Sequence, residues 1–388
     1  SKTRLDRLGY FKTVSVNTPL VPGHDDLIDV NYAVEEQPTG SLSASLGFSQ
    51  SDGLLLGVNV SEKNFFGTGR SVGLGLNRSA SVKSANLSYT NPFFTVDGVS
   101  RGFRVFYKET DYEEADISSY STDKLGGAMT FGYPIDRITR LSFGLQAENT
   151  KIKLGSYPAQ EITDFIDVHG DAFEQVLLTG SWTRSSLNKG LFPTKGWSQS
   201  LGIDIALPEI SDLEFYKIQY ESDYYLPLSD NHEWVFRQRV NLGYGNGYST
   251  TGSLPFFEHY FAGGFGSIRG FDSSSLGLLS TPASDDPNQD GDPFGGNVLT
   301  EFNFELIFPF VILEDRSSVR TSLFLDAGNV FDTNRGYNPS LDEVRAAAGL
   351  SLSWITPVGP LSFSVGKALR KKDGDNTQVF QFMLGQTF

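Results

Sequence analysis

The stretch GSLSASLGFS, Gly40–Ser49, decides which fold the sequence predicts. Its apolar residues Leu42, Ala44, Leu46 and Phe48 alternate with serine and glycine, a period of two that is typical of a β-strand. The same period recurs in runs as far as the C-terminus, and counting those runs predicts about sixteen strands. An even number of alternating strands is typical of a bacterial outer-membrane barrel.

The residues between the apolar ones distinguish a membrane barrel from a soluble sandwich. In a sandwich, the polar face of each strand meets water and carries charges. Here that face consists largely of Ser and Gly with few Lys or Glu, which favours the interior of a closed barrel whose apolar residues face lipid. We therefore predict an all-β membrane protein, a 16-stranded antiparallel transmembrane β-barrel over residues 40–388.

The connections between the predicted strands alternate in character. Every second one is short and carries proline, whereas the others include long acidic segments at Glu109–Asp116 and Ser284–Pro293. Short turns at one rim and long loops at the other are expected of periplasmic turns and extracellular loops. On this count, residues 246–297 form extracellular loop six.

Composition limits the classes of function. The chain has 388 residues, no Cys and a net charge of −15, which argues against a nucleic-acid partner and excludes thiolate chemistry. No apolar run approaches the roughly 18 residues of a transmembrane helix. Because no signal-peptide pattern opens the sequence, we expect a mature or trimmed chain.

The first 36 residues have a different pattern. Leu5, Leu8 and Phe11 have helical spacing, with Gly9 as a C-cap. Residues 12–17 and 26–36 predict two strands joined by a Pro-Gly turn. Residues 1–36 thus predict part of a small α/β module, and residues 37–39 a hinge.

Motifs for catalysis or metal binding are weak. Asp286–Gly291 resembles the start of a calcium loop, but Asn297 stands where glutamate is needed, so a solvated acidic loop is preferred. The glycine-rich Ala262–Gly270 lacks the Lys-Ser/Thr ending of a phosphate loop. No histidine spacing suits a metal, and no nucleophile elbow is present. We predict no catalytic residue, no metal, no cofactor and no enzymatic activity.

Loop six contains an arginine that needs partners. In FAGGFGSIRGF, Phe261–Phe271, Arg269 is the only charge among glycines and aromatics. Strand parity directs Glu301, Glu305 and Asp326 into the lumen from two adjacent strands, so these are its candidate partners. The expected hairpin register sets Glu301 closer to Asp326, and parity does not choose between the two glutamates.

Several segments, in order, resemble the Omp85 superfamily, most closely its outer-membrane protein assembly factors. The loop-six element of that family is usually VRGF, and here it is IRGF. The resemblance selects Glu305 and Asp326 as the partners of Arg269. The matching segments are EQPTGSLSASLGFS (Glu36–Ser49), FFGTG (Phe65–Gly69), GLFPTKGW (Gly190–Trp197), FAGGFGSIRGF, PVGPLSFSVGKAL (Pro357–Leu369) and FQFMLGQTF (Phe380–Phe388). The implied loop-six brace is Ile268, Arg269, Gly270, Phe271, Glu305 and Asp326, with Glu301 as the rival partner.

The resemblance also implies a function and a location. Residues 1–36 resemble the end of the fifth POTRA domain, in the periplasm, and the barrel is expected in the bacterial outer membrane. The implied activity is that of an insertase that folds client β-barrels through a lateral gate between its first and last strands, by β-augmentation and without nucleotide. The expected gate residues are Leu42, Ser43, Ala44, Ser45, Leu46, Gly47, Phe380, Phe382, Leu384, Gly385 and Phe388.

The partners implied are unfolded outer-membrane β-barrel clients, periplasmic chaperones, the lipid bilayer and accessory assembly lipoproteins. The lipoproteins are BamB, BamC, BamD and BamE, with BamD at the POTRA 5 region. Two alternatives stay open: a related translocator for secreted passenger proteins, and a passive porin-like channel.

Overall fold

Sixteen consecutive strands in the described part of the chain close into one antiparallel barrel, which confirms the predicted fold class. The computed structural model describes the whole chain except residues 1, 3–4, 6–8, 25, 285, 287–290, 311–317, 357–358 and 386–388. The barrel strands are β3 (Gly40–Ser49), β4 (Gly53–Glu62), β5 (Ser71–Arg78), β6 (Val82–Asn91), β7 (Ser100–Asp111), β8 (Tyr120–Pro134), β9 (Thr139–Leu154), β10 (Ala172–Ser185), β11 (Gly196–Ala206), β12 (Phe215–Pro227), β13 (Val235–Gly247), β14 (Val298–Phe308), β15 (Val319–Phe331), β16 (Arg345–Thr356), β17 (Gly359–Arg370) and β18 (Phe380–Leu384).

The alternation in the sequence becomes an outer and an inner face. On β15, Leu323 and Leu325 are about half exposed, at 49% and 45%, whereas Ser322 and Asp326 are buried. The apolar side chains therefore point outward to lipid and the polar ones into the lumen. The bilayer also favours a closed barrel, because the edge strands of an open sheet would leave backbone N–H and C=O groups in lipid without hydrogen-bond partners.

Two strands precede the barrel. β1 (Phe11–Asn17) and β2 (Asn31–Glu36) pair antiparallel, with Pro22 and Gly23 in the turn region between them. The prediction of a helix is wrong at Phe11, which begins β1. Leu8, the preceding residue of the predicted helical face, lies outside the described residues. β2 also begins later than the sequence pattern indicated.

The predicted hinge lies against the preceding segment. Gln37 donates from its backbone to Tyr10 O at 3.0 Å and from its side chain to Gly9 O at 2.9 Å. Tyr10 in turn donates its hydroxyl to Gly69 O at 2.8 Å, in the turn between β4 and β5. These contacts tie the N-terminal strands to the β3–β5 side of the barrel.

Loop six, which joins β13 to β14, folds into the lumen. Ile268, Phe271 and Leu276 are fully buried against Leu299 and Val330 of the barrel wall. Apolar loop residues leave water most completely by packing on the lumen wall, and this burial stabilises the inward fold.

The acidic tip of loop six is only partly described. Asn288 and Asp290 of the calcium-like pattern lie outside the described residues. Among the residues that are described, no cluster of three or more His, Asp or Glu side chains is placed to hold a metal ion.

A helix and an aromatic cluster cap the extracellular end of the barrel. α1 (Gln160–His169) lies between β9 and β10, and its Phe165 packs edge-on against Phe256 of loop six at 5.3 Å between ring centroids. Phe256 also meets Tyr120 edge-on at 5.0 Å. None of the described helices is long and apolar enough to cross a membrane.

We expect Phe256→Ala to loosen this cap, because removing a buried ring typically costs about 3–5 kcal/mol. Limited proteolysis of the folded protein in detergent should then cleave loop six faster than in the wild type. Phe66→Ala is the matched control, because Phe66 is 88% exposed at the opposite rim. Equal cleavage rates for all three proteins would show that Phe256 does not secure the cap.

Candidate functional site

Loop six reaches the barrel wall through a glycine. Gly270 has a φ of 88°, a left-handed conformation that favours glycine. A Cβ at this position would lie 3.0 Å from the Cβ of Ala347 on β16. The close approach places Arg269 and Phe271, on either side of it, in contact with the wall.

Arg269 is held mainly by Asp326 of β15. Its Nε and Nη2 donate to the two carboxylate oxygens of Asp326 at 2.7 and 2.8 Å, and its backbone N–H donates to the same carboxylate at 3.0 Å. Nη1 lies 2.8 Å from Oε1 of Glu305 on β14. The guanidinium therefore bridges two adjacent strands in the planar, bidentate geometry that arginine provides.

Burial makes this arrangement costly to break. Arg269 is 7% exposed and Asp326 is 0% exposed. Burial alone would lower the pKa of the Arg269 guanidinium, but its hydrogen bonds to Asp326 and the charges of Asp326 and Glu305 raise that pKa. The cation stays charged, and removal of either partner would leave a buried charge unpaired.

An aromatic ring completes the site. The Cζ atom of Arg269 lies 3.8 Å from the ring centroid of Phe324, a cation–π contact. Phe324 fits because Gly349 and Gly366 face it: a Cβ on either would lie within 2.9 Å of the ring. The small residues of β16 and β17 thus make room for a ring that points into the lumen.

Glu301 has other partners. It accepts hydrogen bonds from Asn241 Nδ2 at 2.7 Å and from the Ser267 hydroxyl. The expected register was wrong: Asp326 lies opposite Asn303, so both glutamates stand two residues from the facing position. Register favours neither glutamate. In the folded chain Glu305 contacts Arg269, while Glu301 accepts hydrogen bonds from Asn241 and Ser267.

A second group of charges holds the other end of loop six. Glu258 pairs with Lys124 of β8 and, at 3.0 Å, with Lys217 of β12. Burial alone would raise the pKa of Glu258, but the two lysines hold it below its ordinary range. Loop six is therefore fixed to walls on both sides of the lumen.

The seam between the last and first strands is the shortest ladder in the described barrel. β18 pairs with β3 only at Met383–Ser49 and Leu384–Phe48, whereas β3 pairs with β4 along its ten residues. In the described chain, no strand pairs with Gly40–Gly47 on the side that faces β18. Within the described residues, most of one edge of β3 therefore has no strand partner.

Side chains supplement this short ladder. The rings of Phe48 and Phe382 stack at 5.5 Å, and the Phe382 N–H donates to Gln50 Oε1 at 2.9 Å. Gly385 has a φ of 87° and approaches Gly47 so closely that a Cβ on it would lie 3.0 Å from the Gly47 Cα. The backbone thus leaves the regular strand conformation at Gly385, directly after β18.

The other predicted gate residues fall on β3 and β18. Leu42 is 75% exposed, Leu46 and Phe380 are about half exposed, and Ser43, Ala44 and Ser45 are also exposed. Phe388 lies outside the described residues.

Comparison with known proteins adds the family. The model of the Omp85 superfamily domain matches residues 64–388. The chain belongs to the Omp85 superfamily. Membership agrees with the observed barrel, whose strand count and inward loop were described above.

Among Omp85 proteins, the chain is similar to BamA assembly factors in both sequence and structure. Over its whole length it is 34% identical to outer membrane protein assembly factor BamA of Neisseria meningitidis serogroup B, covering 52% of that protein. It matches the crystal structure of BamA from Haemophilus ducreyi lacking POTRA domains 1–3 with a TM-score of 0.84 and 32% identity, covering all of this chain and 77% of that one. CdiB from Acinetobacter baumannii, at 13% identity and a TM-score of 0.63 over 98% of this chain and 66% of that one, shares the fold.

The chain spans about half the length of the curated relatives it matches. The Omp85 barrel lies in the bacterial outer membrane, with its N-terminal residues on the periplasmic side. Loop six then lies at the extracellular end, with its middle drawn into the lumen.

Sequence reasoning missed three side chains of this site. Gln381 of β18 donates from its Nε2 to Phe271 O of loop six at 2.8 Å. Phe324 and Gln381 both stand at inward-facing positions of their strands, and an aromatic ring or an amide at such a position was a signal for a contact in the lumen. Glu258 carried no such signal, because it lies in a loop whose path parity does not define.

Arg269→Ala should lower the free energy of unfolding by about 3–5 kcal/mol, because it leaves Asp326 and Glu305 buried without their cation. Denaturant unfolding of the purified barrel in detergent measures this loss. In a double-mutant cycle with Asp326→Asn, the two losses should be far from additive.

Arg104→Ala is the control for this prediction. Arg104 is an exposed arginine whose guanidinium bonds Gln146 at 3.1 Å, so its loss should cost about 1 kcal/mol or less. Equal stability of Arg269→Ala and the wild type would contradict a bracing role.

Proposed function

We propose that this Omp85 chain is the membrane part of an outer-membrane protein insertase, which folds and inserts client β-barrels through a lateral gate between β3 and β18. The observation that carries the proposal is the seam, where two residue pairs among the described residues close a barrel whose other ladders are longer. The names of the BamA relatives support an assembly role.

The proposed gate works by strand addition. Opening the seam separates the two described residue pairs, one ring stack and the hydrogen bond from Phe382 to Gln50, and makes the β3 edge accessible to a client strand. Unpaired N–H and C=O groups in lipid are costly, so a client strand that pairs with them is strongly favoured. We infer that the drive comes from burial and hydrogen bonding as the client folds, without nucleotide.

The gate and the brace have different roles in this proposal. Leu42–Gly47 present the edge that receives the client strand, while Phe380, Phe382, Leu384 and Gly385 form the side from which it separates. Ile268–Phe271, Glu305 and Asp326 brace the wall that must stay closed. This division follows from the pairing: the ladder between β14 and β15, where the brace lies, is long, whereas the seam is short.

The partners are part of the same proposal. We assign residues 1–36 to the end of the fifth POTRA domain, where BamD is expected to bind on the periplasmic side. BamB, BamC and BamE are the other accessory lipoproteins proposed as partners. Tyr10 and Gln37 join these residues to the β4–β5 turn and the hinge, so a subunit bound there is positioned beside β3.

A disulfide across the seam should abolish assembly while preserving the barrel. Ser49→Cys with Met383→Cys places the two thiols on directly paired residues. Insertion of an unfolded outer-membrane protein into liposomes, read by protease protection, should fall to background when the disulfide forms and return on reduction. Full activity of the locked barrel would refute the gate.

The matched control is a disulfide within a ladder that need not open. Asn77 and Ser84 face each other across β5 and β6, with their side chains 3.3 Å apart. Asn77→Cys with Ser84→Cys should leave insertion unchanged on oxidation, which separates loss of gating from general effects of a cross-link.

A passive porin-like channel is the first alternative. Loop six and its two sets of ion pairs occupy the lumen, so we expect no long-lived open channel from the purified protein in a planar bilayer. A steady conductance for each inserted barrel would favour the porin. The second alternative, a translocator for secreted passenger proteins, would be favoured by two rather than five POTRA domains in the full gene.

A further inference from the structure

We infer that Gln381 is a positioning residue that fastens the last strand to loop six, so that the seam separates on the β3 side while β18 stays on the barrel wall. This inference rests on the proposed gate and adds a residue that joins it to the Arg269 brace.

Gln381 stands inside the barrel. It is 2% exposed, whereas the preceding Phe380 is 47% exposed and faces lipid. Its Nε2 donates to Phe271 O at 2.8 Å, and its Oε1 accepts from the Gly270 N–H at 3.4 Å. A single side chain of the last strand therefore bonds two backbone groups of the segment that follows Arg269.

The backbone just before β18 makes the same connection. The Gln378 N–H donates to Gly270 O at 3.1 Å, and the Asp272 N–H donates to Asn376 O at 3.1 Å. Gln381 Nε2 also lies 3.2 Å from Gln378 Oε1. Loop six thus lies beside residues 376–381 as a short inner partner of the last strand.

Three neighbours hold β18 with unequal strength. β17 pairs with β18 at five positions, from Leu361 opposite Leu384 to Val365 opposite Phe380. Loop six holds β18 through Gln381. β3 pairs with β18 at two positions among the described residues. Since the β3 contact is the shortest, the seam opens there as long as β18 keeps its other two supports.

The inner support is itself anchored. Gly270 lies between Arg269, which is fixed to Asp326, and the wall at Ala347. Any displacement of β18 away from loop six would break the bonds of Gln381 while the arginine remains held. The brace and the gate are consequently neighbours in one continuous set of contacts.

Gln381→Leu removes both polar atoms and tests the inference. In Gln381→Leu, the backbone N–H groups of residues 376–384 should exchange with deuterium about tenfold faster than in the wild type. This is the factor expected for the loss of roughly one hydrogen bond. Client insertion in liposomes should fall in parallel, while exchange in β8–β10 should stay at the wild-type rate. Should Gln381→Leu fail to fold, the unbranched Gln381→Met serves in its place with the same expectation.

Gln175→Leu is the matched control. Gln175 is a lumen glutamine of β10 that is 1% exposed, and within the described structure its amide atoms have no hydrogen-bond partner. The same substitution there should leave exchange of residues 376–384 and client insertion unchanged. If both variants raise exchange equally, Gln381 has no specific role.

A covalent tie distinguishes positioning from general stabilisation. Val365 and Phe380 are paired across β17 and β18, so Val365→Cys with Phe380→Cys staples the last strand to the wall without loop six. In the Gln381→Leu background, oxidation should restore insertion relative to the reduced form of the same protein. A staple that forms and restores slow exchange but not insertion would overturn the inference.

The two proposals fail separately. If the wild-type chain inserts no client, the insertase is refuted, and the exchange comparison between Gln381→Leu and Gln175→Leu still decides whether Gln381 holds β18. If the wild type inserts clients and Gln381→Leu behaves like it in both measurements, only the role of Gln381 is refuted.

Discussion

The buried ion pair between Arg269 and Asp326 is the contact on which the interior of this barrel depends. Two charges removed from water are stable only when geometry and further hydrogen bonds compensate for lost hydration. Here both requirements are met, by a bidentate pair, by Glu305 and by the ring of Phe324. Because the arginine comes from loop six and its partners from two adjacent strands, Glu305 from β14 and Asp326 and Phe324 from β15, the pair forms only when loop six lies inside the barrel.

The same constraint explains where the barrel is weak. Loop six supports the wall formed by β14–β18, and its contacts with the last strand end at Gln381. On the other side of the seam, β3 has exposed apolar side chains and a short ladder. In the proposed gate, a strong inner support next to a weak outer ladder would concentrate opening at one place, as strand addition to a client requires.

Glycine has two distinct tasks in this arrangement. Gly349 and Gly366 accept the ring of Phe324, so the absence of a side chain permits packing. Gly385 adopts a left-handed backbone conformation beside Gly47 and ends the regular strand. In the sequence the two classes look alike, since each glycine stands on the inward parity of an alternating run, and only the folded chain shows that Gly349 and Gly366 accept a ring whereas Gly385 lies where the regular strand ends.

Period-two alternation, with serine and glycine on the inner face, determined the barrel, its strand count and the inward direction of Glu301, Glu305 and Asp326. These are properties of successive residues on one strand, so the sequence contains them directly. It failed at Phe11, where helical spacing extended into a strand, and in the register of β14 and β15. Register depends on where each strand begins relative to its neighbour, which the alternation of a single strand does not define.

Strand parity left open which glutamate meets Arg269, and the tertiary structure decided it. Tertiary structure also decided that Glu258 anchors the other end of loop six and that Gln381 joins the brace to the last strand. These contacts link residues separated by up to 134 positions. They depend on the path of loop six through the lumen. The sequence by itself determined the faces of the strands because alternation is local, whereas the path of the loop is set by packing against all of the surrounding walls at once.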